Sequence, residues 1–210
     1  MSERGLIVAV LGAESTGKTT LCGELGAAFA AEGRDVVVVD EYLREFCDRH
    51  ARTPRREEQA AIAAEQTRRI ETAAAQHAVV IADTTALMIA VYSDHVFGDR
   101  TLYADAERAQ RHCAVTLLTA LDLPWLADGH QREGPHVREP VDAKVRAALA
   151  RSGVAYSVIG GVGPARLAAA RAVIERGLAP EPAVAPTARW HWVCERCGEP
   201  DCERHLLPPR

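Results

Sequence analysis

An apolar run, a glycine-bounded octapeptide and a helical pattern follow one another within the first 33 residues, and that order constrains the fold more than any other feature. The run Gly5-Leu6-Ile7-Val8-Ala9-Val10-Leu11 lacks polar alternation, as a central parallel strand covered on both faces requires. Leu21, Leu25, Ala28 and Phe29 then recur at helical spacing until Gly33 stops the pattern. Between strand and helix stands Gly12-Ala13-Glu14-Ser15-Thr16-Gly17-Lys18-Thr19, a complete G-x-x-x-x-G-K-[ST] string, with Thr20 next in line. In such a loop the backbone amides surround phosphate oxygens at the positive end of the helix, and the Thr19 hydroxyl ligates Mg²⁺. The plainer alternative is a glycine turn before a helix.

The choice of cation at position 18 carries weight. The chain has 25 Lys plus Arg, yet Lys18 and Lys144 are its only lysines. Arginine would serve for generic surface charge, whereas a compact ammonium on a flexible stem reaches between phosphate oxygens. The expectation is a bound nucleoside triphosphate, ATP with Mg²⁺.

At 210 residues and 48% hydrophobic content, the chain suits one α/β domain plus a small appendage. A net charge of −4 gives no electrostatic reason to expect nucleic acid as a main partner. No secretory pattern opens the chain and no apolar run approaches transmembrane length, so the cytoplasm is the expected compartment. Cys22, Cys47 and Cys113 are scattered and read as buried thiols, while Cys194, Cys197 and Cys202 cluster near the end.

Apolar β-rich segments recur at 6–11, 35–39, 78–82, 114–118 and 155–159, separated mostly by helical patterns. The alternation predicts an α/β fold with a five-stranded, mostly parallel sheet flanked by helices. Residues 54–76 read as one long, largely exposed helix beginning at Pro54, with further helices over 84–95, 139–151 and 164–177. The expected division is a nucleotide-binding domain over 1–178, a Pro/Ala linker over 179–189 and a Cys/His tail over 190–210.

Ligands of such sheets bind at the carboxyl ends of the strands. Asp83 follows the strand at 78–82 and reads as a holder of Mg²⁺-bound water or an acceptor for a hydroxyl proton, with a helix N-cap as the alternative. Asp40, Glu41, Tyr42, Arg44 and Glu45 follow the second strand and offer groups for a sugar diol and a flat ring, or else a charged helix start. Trp125, beside Pro124, is either a stacking platform or a core plug. The segment 130–138 reads as a mobile lid carrying Arg132 or Arg138 to the transferring phosphates, or as a solvated loop.

Taken together, the GAESTGKT loop and the EYLRE, ADTT and PWLADGHQREG segments resemble the NadR-type ribosylnicotinamide kinase domain. That domain belongs to a P-loop group often labelled AAA-type ATPases, and the resemblance spans roughly residues 5–177. It implies acceptor or lid roles for Asp83, Glu41, Tyr42, Arg44, Glu45, Trp125, Asp128 and Arg132. Thr85 departs from the further acid common at its position, which bears on acceptor recognition. The nucleotidyltransferase and helix-turn-helix regions of bifunctional members are missing from these 210 residues, so a single activity is expected.

In the tail, Cys194, Cys197, Cys202 and His205 have a spacing compact enough to close around a structural Zn²⁺, with His191 competing with His205. A disordered or docked tail with free thiols is the alternative. The leading functional expectation is a small-molecule kinase moving the γ-phosphoryl of ATP to a nucleoside-like acceptor, with nicotinamide riboside the candidate that the resemblance offers and a different acceptor left open. In it, Lys18, Asp83, Arg132 and Arg138 carry the chemistry. An ATP-hydrolysing regulatory module with no small-molecule acceptor is the alternative. A GTPase is disfavoured, because Thr119-Ala120-Leu121-Asp122 lacks the lysine of a guanine-reading motif.

Overall fold

The computed structural model describes residues 4–126 and 134–179. Five strands form one sheet in the order β2-β3-β1-β4-β5: β1 Leu6–Leu11, β2 Val36–Val39, β3 Val79–Asp83, β4 Val115–Thr119 and β5 Ser157–Ile159. Every neighbouring pair is parallel, with Ala9 opposite Ala82 on one side and Thr116 on the other. The expected five-stranded α/β sheet is therefore present. Each strand boundary lies within two residues of the one read from the apolar runs.

Alternate residues of the strands point to different layers of helices. Val8, Val10, Ile81, Val115 and Leu117 pack on α1 (Lys18–Ala31) and α7 (Gly163–Leu178) through Leu21, Leu25, Phe29, Ala170 and Ile174. The opposite parity packs on α3 (Gln59–Ala74), α4 (Ala86–Phe97) and α6 (Arg138–Ser152). Both faces of β1 are thus covered, which is why that strand reads as a continuous apolar run. Burying one side chain such as Phe29, which has no exposed surface, is worth roughly 1.5–3 kcal/mol.

Three details differ from the sequence reading. The stretch after Pro54 opens with a 3₁₀ turn at Arg56–Glu58, and α3 begins at Gln59. Nor is this helix largely exposed. Gln59, Ile62, Ala63, Gln66, Ile70 and Ala74 form a buried stripe at helical spacing, partly concealed by its two glutamines. Two short helices also appear: α2 (Tyr42–His50), the charged helix start offered as an alternative, and α5 (Tyr103–Gln110), whose mixed charge hid it.

The consequence for function is positional. β1, β2, β3 and β4 all end at one edge of the sheet, so the residues following them share a rim.

Candidate functional site

The glycine loop occupies the turn between β1 and α1. Gly12 has φ +151°, and a Cβ there would lie 1.9 Å from Thr119 Oγ1, so only glycine fits. Gly17 caps α1 in the left-handed region at φ +72°. Behind the loop runs a buried hydroxyl chain: Thr119 Oγ1 donates to Thr16 Oγ1 at 2.6 Å, and Thr16 donates to the Ala13 carbonyl at 2.8 Å. Lys18, with little exposed surface, donates from Nζ to the same Ala13 carbonyl at 2.9 Å. The loop is thus pre-shaped by its own polar groups. Ser15 couples it to the segment after β4, donating to the Leu126 carbonyl at 3.1 Å and accepting from the Leu126 amide at 2.8 Å.

Thr19 and Asp83 meet. The Thr19 hydroxyl donates to Asp83 Oδ2 at 2.6 Å, while Asp83 Oδ1 is buried with no partner among the described residues. Burial raises the Asp83 pKa above the ordinary carboxylate value; the Thr19 hydrogen bond, Lys18 and Arg44 oppose the rise, and Glu41 adds to it. Those influences put Glu41, Arg44 and Lys18 within electrostatic reach of one carboxylate. The same centre acts on Cys22, whose thiol pKa is pushed well up, first by burial and then by Asp83.

Asp83 is not the cap of α4. That place belongs to Thr85, whose hydroxyl accepts from the Leu87 amide at 3.3 Å. The N-cap alternative for Asp83 is overturned because the cap lies two residues further on, after the chain passes through Thr84 at φ +77°.

After β2, Glu41 accepts from Arg44 Nε at 2.9 Å. Asp40 is exposed, and its carbonyl accepts from the Gln66 side chain at 3.3 Å. The Tyr42 ring lies beneath the Arg69 guanidinium, 4.3 Å from its centroid. Glu45 joins a half-exposed ion-pair network with Arg49 and Arg69, the latter at 2.5 Å. Its carboxylate is thereby engaged by helix neighbours, as the charged-helix alternative has it.

Trp125 is half-buried, and its indole N–H is buried without a partner among the described residues. Arg138 opens α6 as a buried residue. Its Nη1 donates to the Leu123 carbonyl at 2.9 Å, while Nε and Nη2 have no partner among the described residues. Asp128 and Arg132 lie outside the described residues, as do Cys194, Cys197, Cys202, His205 and His191.

Three site residues carry no motif in the sequence. Arg166 on α7 donates from Nη2 to the Thr16 carbonyl at 2.6 Å, and burial lowers its pKa. Thr119 ends β4 under the loop. Gln66 on α3 reaches two strand ends. For Gln66 the i, i+4 spacing with Ile62 and Ile70 signals burial, though not a place in the site.

The parallel sheet with its phosphate loop defines a P-loop nucleotide-binding fold. The chain matches the AAA domain family over residues 7–166 and belongs to it. Two solved structures of NadR share the fold. One, in complex with NR, has TM-score 0.67 and 18% identity, covering 84% of this chain and 52% of that one. The other, in complex with NAD and AMP-PNP, has TM-score 0.63 and 18% identity, covering 85% and 51%. This chain therefore spans about half the length of each. The resemblance to the NadR-type domain read from the sequence holds at the level of the fold. No curated protein matches the chain. No helix among the described residues is long and apolar enough to cross a membrane.

Proposed function

We propose that the protein is an ATP-dependent small-molecule kinase whose acceptor is a nucleoside, with nicotinamide riboside the first candidate. The observation that carries this reading is the 2.6 Å pairing of Thr19 with the buried Asp83 beside the loop, with Glu41 and Arg44 in electrostatic reach. A nucleotide switch also pairs its loop hydroxyl with a strand-end acid, so what favours a kinase is the additional Glu41–Arg44 pair at the end of β2, within reach of the same carboxylate. The NadR neighbours, one carrying NR and one carrying NAD and AMP-PNP, support the choice of acceptor class.

A hard, oxygen-preferring dication suits the Thr19 hydroxyl and the unpartnered Asp83 oxygen, and Mg²⁺ would be held there. When bound, it neutralises charge on the phosphoryl oxygens. The loop amides cradle the phosphates, and Lys18 exchanges its Ala13 carbonyl for a phosphate oxygen. Asp83 orients the attacking hydroxyl or takes its proton. The acceptor oxygen then bonds the γ-phosphorus as the bond from that phosphorus to the bridging oxygen breaks, and ADP departs. Arg138, with two buried nitrogens unpartnered among the described residues, supplies donors for charge on the transferring group. Arg132 and Asp128 keep the roles that the resemblance gives them. This reading implies the cytosol, where ATP is held. The tail over 190–210, with Cys194, Cys197, Cys202 and His205, is proposed as a separate structural Zn²⁺ unit.

The test is ADP release with and without a panel of nucleosides. Acceptor-stimulated release that Lys18→Ala abolishes, with the fold intact by circular dichroism, is the expected result. A flat, slow rate across the panel would leave the regulatory module as the better reading.

A further inference from the structure

One buried amide ties the two halves of the acceptor rim together. The Gln66 side chain has no exposed surface. Its Oε1 accepts the Tyr42 backbone N–H at 2.7 Å. Its Nε2 donates to the Asp40 carbonyl at 3.3 Å and to the Thr84 carbonyl at 3.2 Å. Both amide hydrogens and one lone pair are thus used, all on main-chain groups just past the ends of β2 and β3.

What Gln66 holds at Thr84 is not a relaxed turn. A β-branched residue at φ +77° is an outlier, and such conformations persist only where surrounding contacts over-determine them. Two contacts do so here. The Thr84 N–H donates to the Val10 carbonyl at 3.1 Å, and its carbonyl is held by Gln66. Thr84 directly follows Asp83, so holding both main-chain polar groups of Thr84 anchors the end of β3 from which the Asp83 carboxylate projects. The other end of the amide fixes Asp40 and Tyr42, which flank Glu41.

We propose that Gln66 is a positioning residue for phosphoryl transfer: its amide holds Thr84 in the left-handed conformation and thereby registers Asp83 against the Glu41–Arg44 pair. This rests on the kinase reading for its catalytic consequence but not for its structural one. An apolar side chain of similar length at position 66 would fill the space and leave three main-chain groups unsatisfied. The strand ends would then move independently. Because Gln66 hydrogen-bonds to no residue of the glycine loop among the described residues, ATP binding should suffer far less than transfer.

Two measurements test this. In Gln66→Met, acceptor-dependent kcat should fall by roughly 10- to 100-fold while the KM for ATP stays within about twofold, since small misplacements near reacting groups carry penalties of that order. Equal losses in both, or unchanged kcat, would overturn the positioning role. The second measurement needs no activity. Thr84→Gly removes the steric strain, so Gln66→Met should lower the urea midpoint less in the Thr84→Gly background than in the wild type. Additive shifts would refute the coupling. Should Gln66→Met not fold, amide exchange in the intact protein decides: the Tyr42 and Thr84 N–H groups should be protected alike, and fast exchange at Tyr42 alone would sink the idea. A wild type without acceptor-stimulated turnover would defeat the kinase reading while leaving the coupling result to stand or fall alone.

Discussion

Arg166 and Thr16 are 150 residues apart in sequence, yet the Arg166 guanidinium donates to the Thr16 carbonyl at 2.6 Å. That carbonyl shares its peptide unit with the N–H of Gly17, the residue that caps α1. A positive donor on the oxygen side of a peptide strengthens the N–H on the other side, because hydrogen bonds in series polarise one another. α7 therefore braces the phosphate loop from behind, electrostatically as well as sterically.

The first prediction follows. A hydrogen bond from a charged, buried donor contributes about 1.5–3 kcal/mol, and about 1.4 kcal/mol is tenfold in affinity. Only the part of that energy that grows when nucleotide binds counts toward affinity, so Arg166→Met should raise the ATP dissociation constant by up to about tenfold, measured by calorimetry with Mg²⁺ present. An affinity equal to the wild type would show that the loop holds its shape without α7.

Asp83 poses a conflict between stability and chemistry. Burial raises its pKa, so the folded state binds the proton more tightly than the unfolded chain does. Its contribution is therefore most favourable below the ordinary carboxylate pKa and is lost as pH rises through the raised value. Asp83→Asn keeps an oxygen for the Thr19 hydroxyl and removes the charge. In the nucleotide-free protein at pH 7 this variant should melt higher than the wild type, with the gap closing at low pH. Acceptor-dependent turnover should fall by roughly 100-fold or more, the penalty for losing a positioned acid–base group. A lower melting temperature at pH 7 would count against this account of the burial.

Glu58 has the opposite sign. Arg52 grips its carboxylate at 2.7 and 2.6 Å, and the Arg55 N–H adds a third bond at 2.7 Å, holding its pKa down to about 2 from an ordinary 4.5. A depressed acid stabilises the fold above its unfolded value, and that stability drains away as pH falls from 4.5 towards 2. Glu58→Gln should flatten part of the pH dependence of the urea midpoint across that window. An unchanged slope would mean that the half-buried pair is screened to insignificance.

What could be read from the chain alone was local or periodic. β1, the glycine loop and α1 are contiguous, and their signal depends on no distant partner. Thr19 reads as a Mg²⁺ ligand and Asp83 as a holder of Mg²⁺-bound water or a proton acceptor, from separate segments, and the structure brings their hydroxyl and carboxylate into contact. Gln66 and Arg166 were not legible as site residues. Each is one polar residue on a helix, and its meaning lies in main-chain groups that the fold brings to it. Asp83 as a cap fails for a related reason: the left-handed step at Thr84, which no residue type advertises, shifts the helix start by two positions.

Trp125 supplies the last test, and it separates the two substrates. Ser15 exchanges hydrogen bonds with Leu126, the residue after Trp125, so the tryptophan segment is anchored to the glycine loop. The indole is half-buried, and its N–H has no partner among the described residues, which is unlike a settled core plug. As a stacking face for the acceptor ring it would contribute about 1–3 kcal/mol, the range measured for bases on aromatic side chains. Trp125→Ala should then raise the acceptor KM by about 5- to 100-fold and the ATP KM far less. If the ATP KM moved instead, the ring would belong to the nucleotide and not to the acceptor.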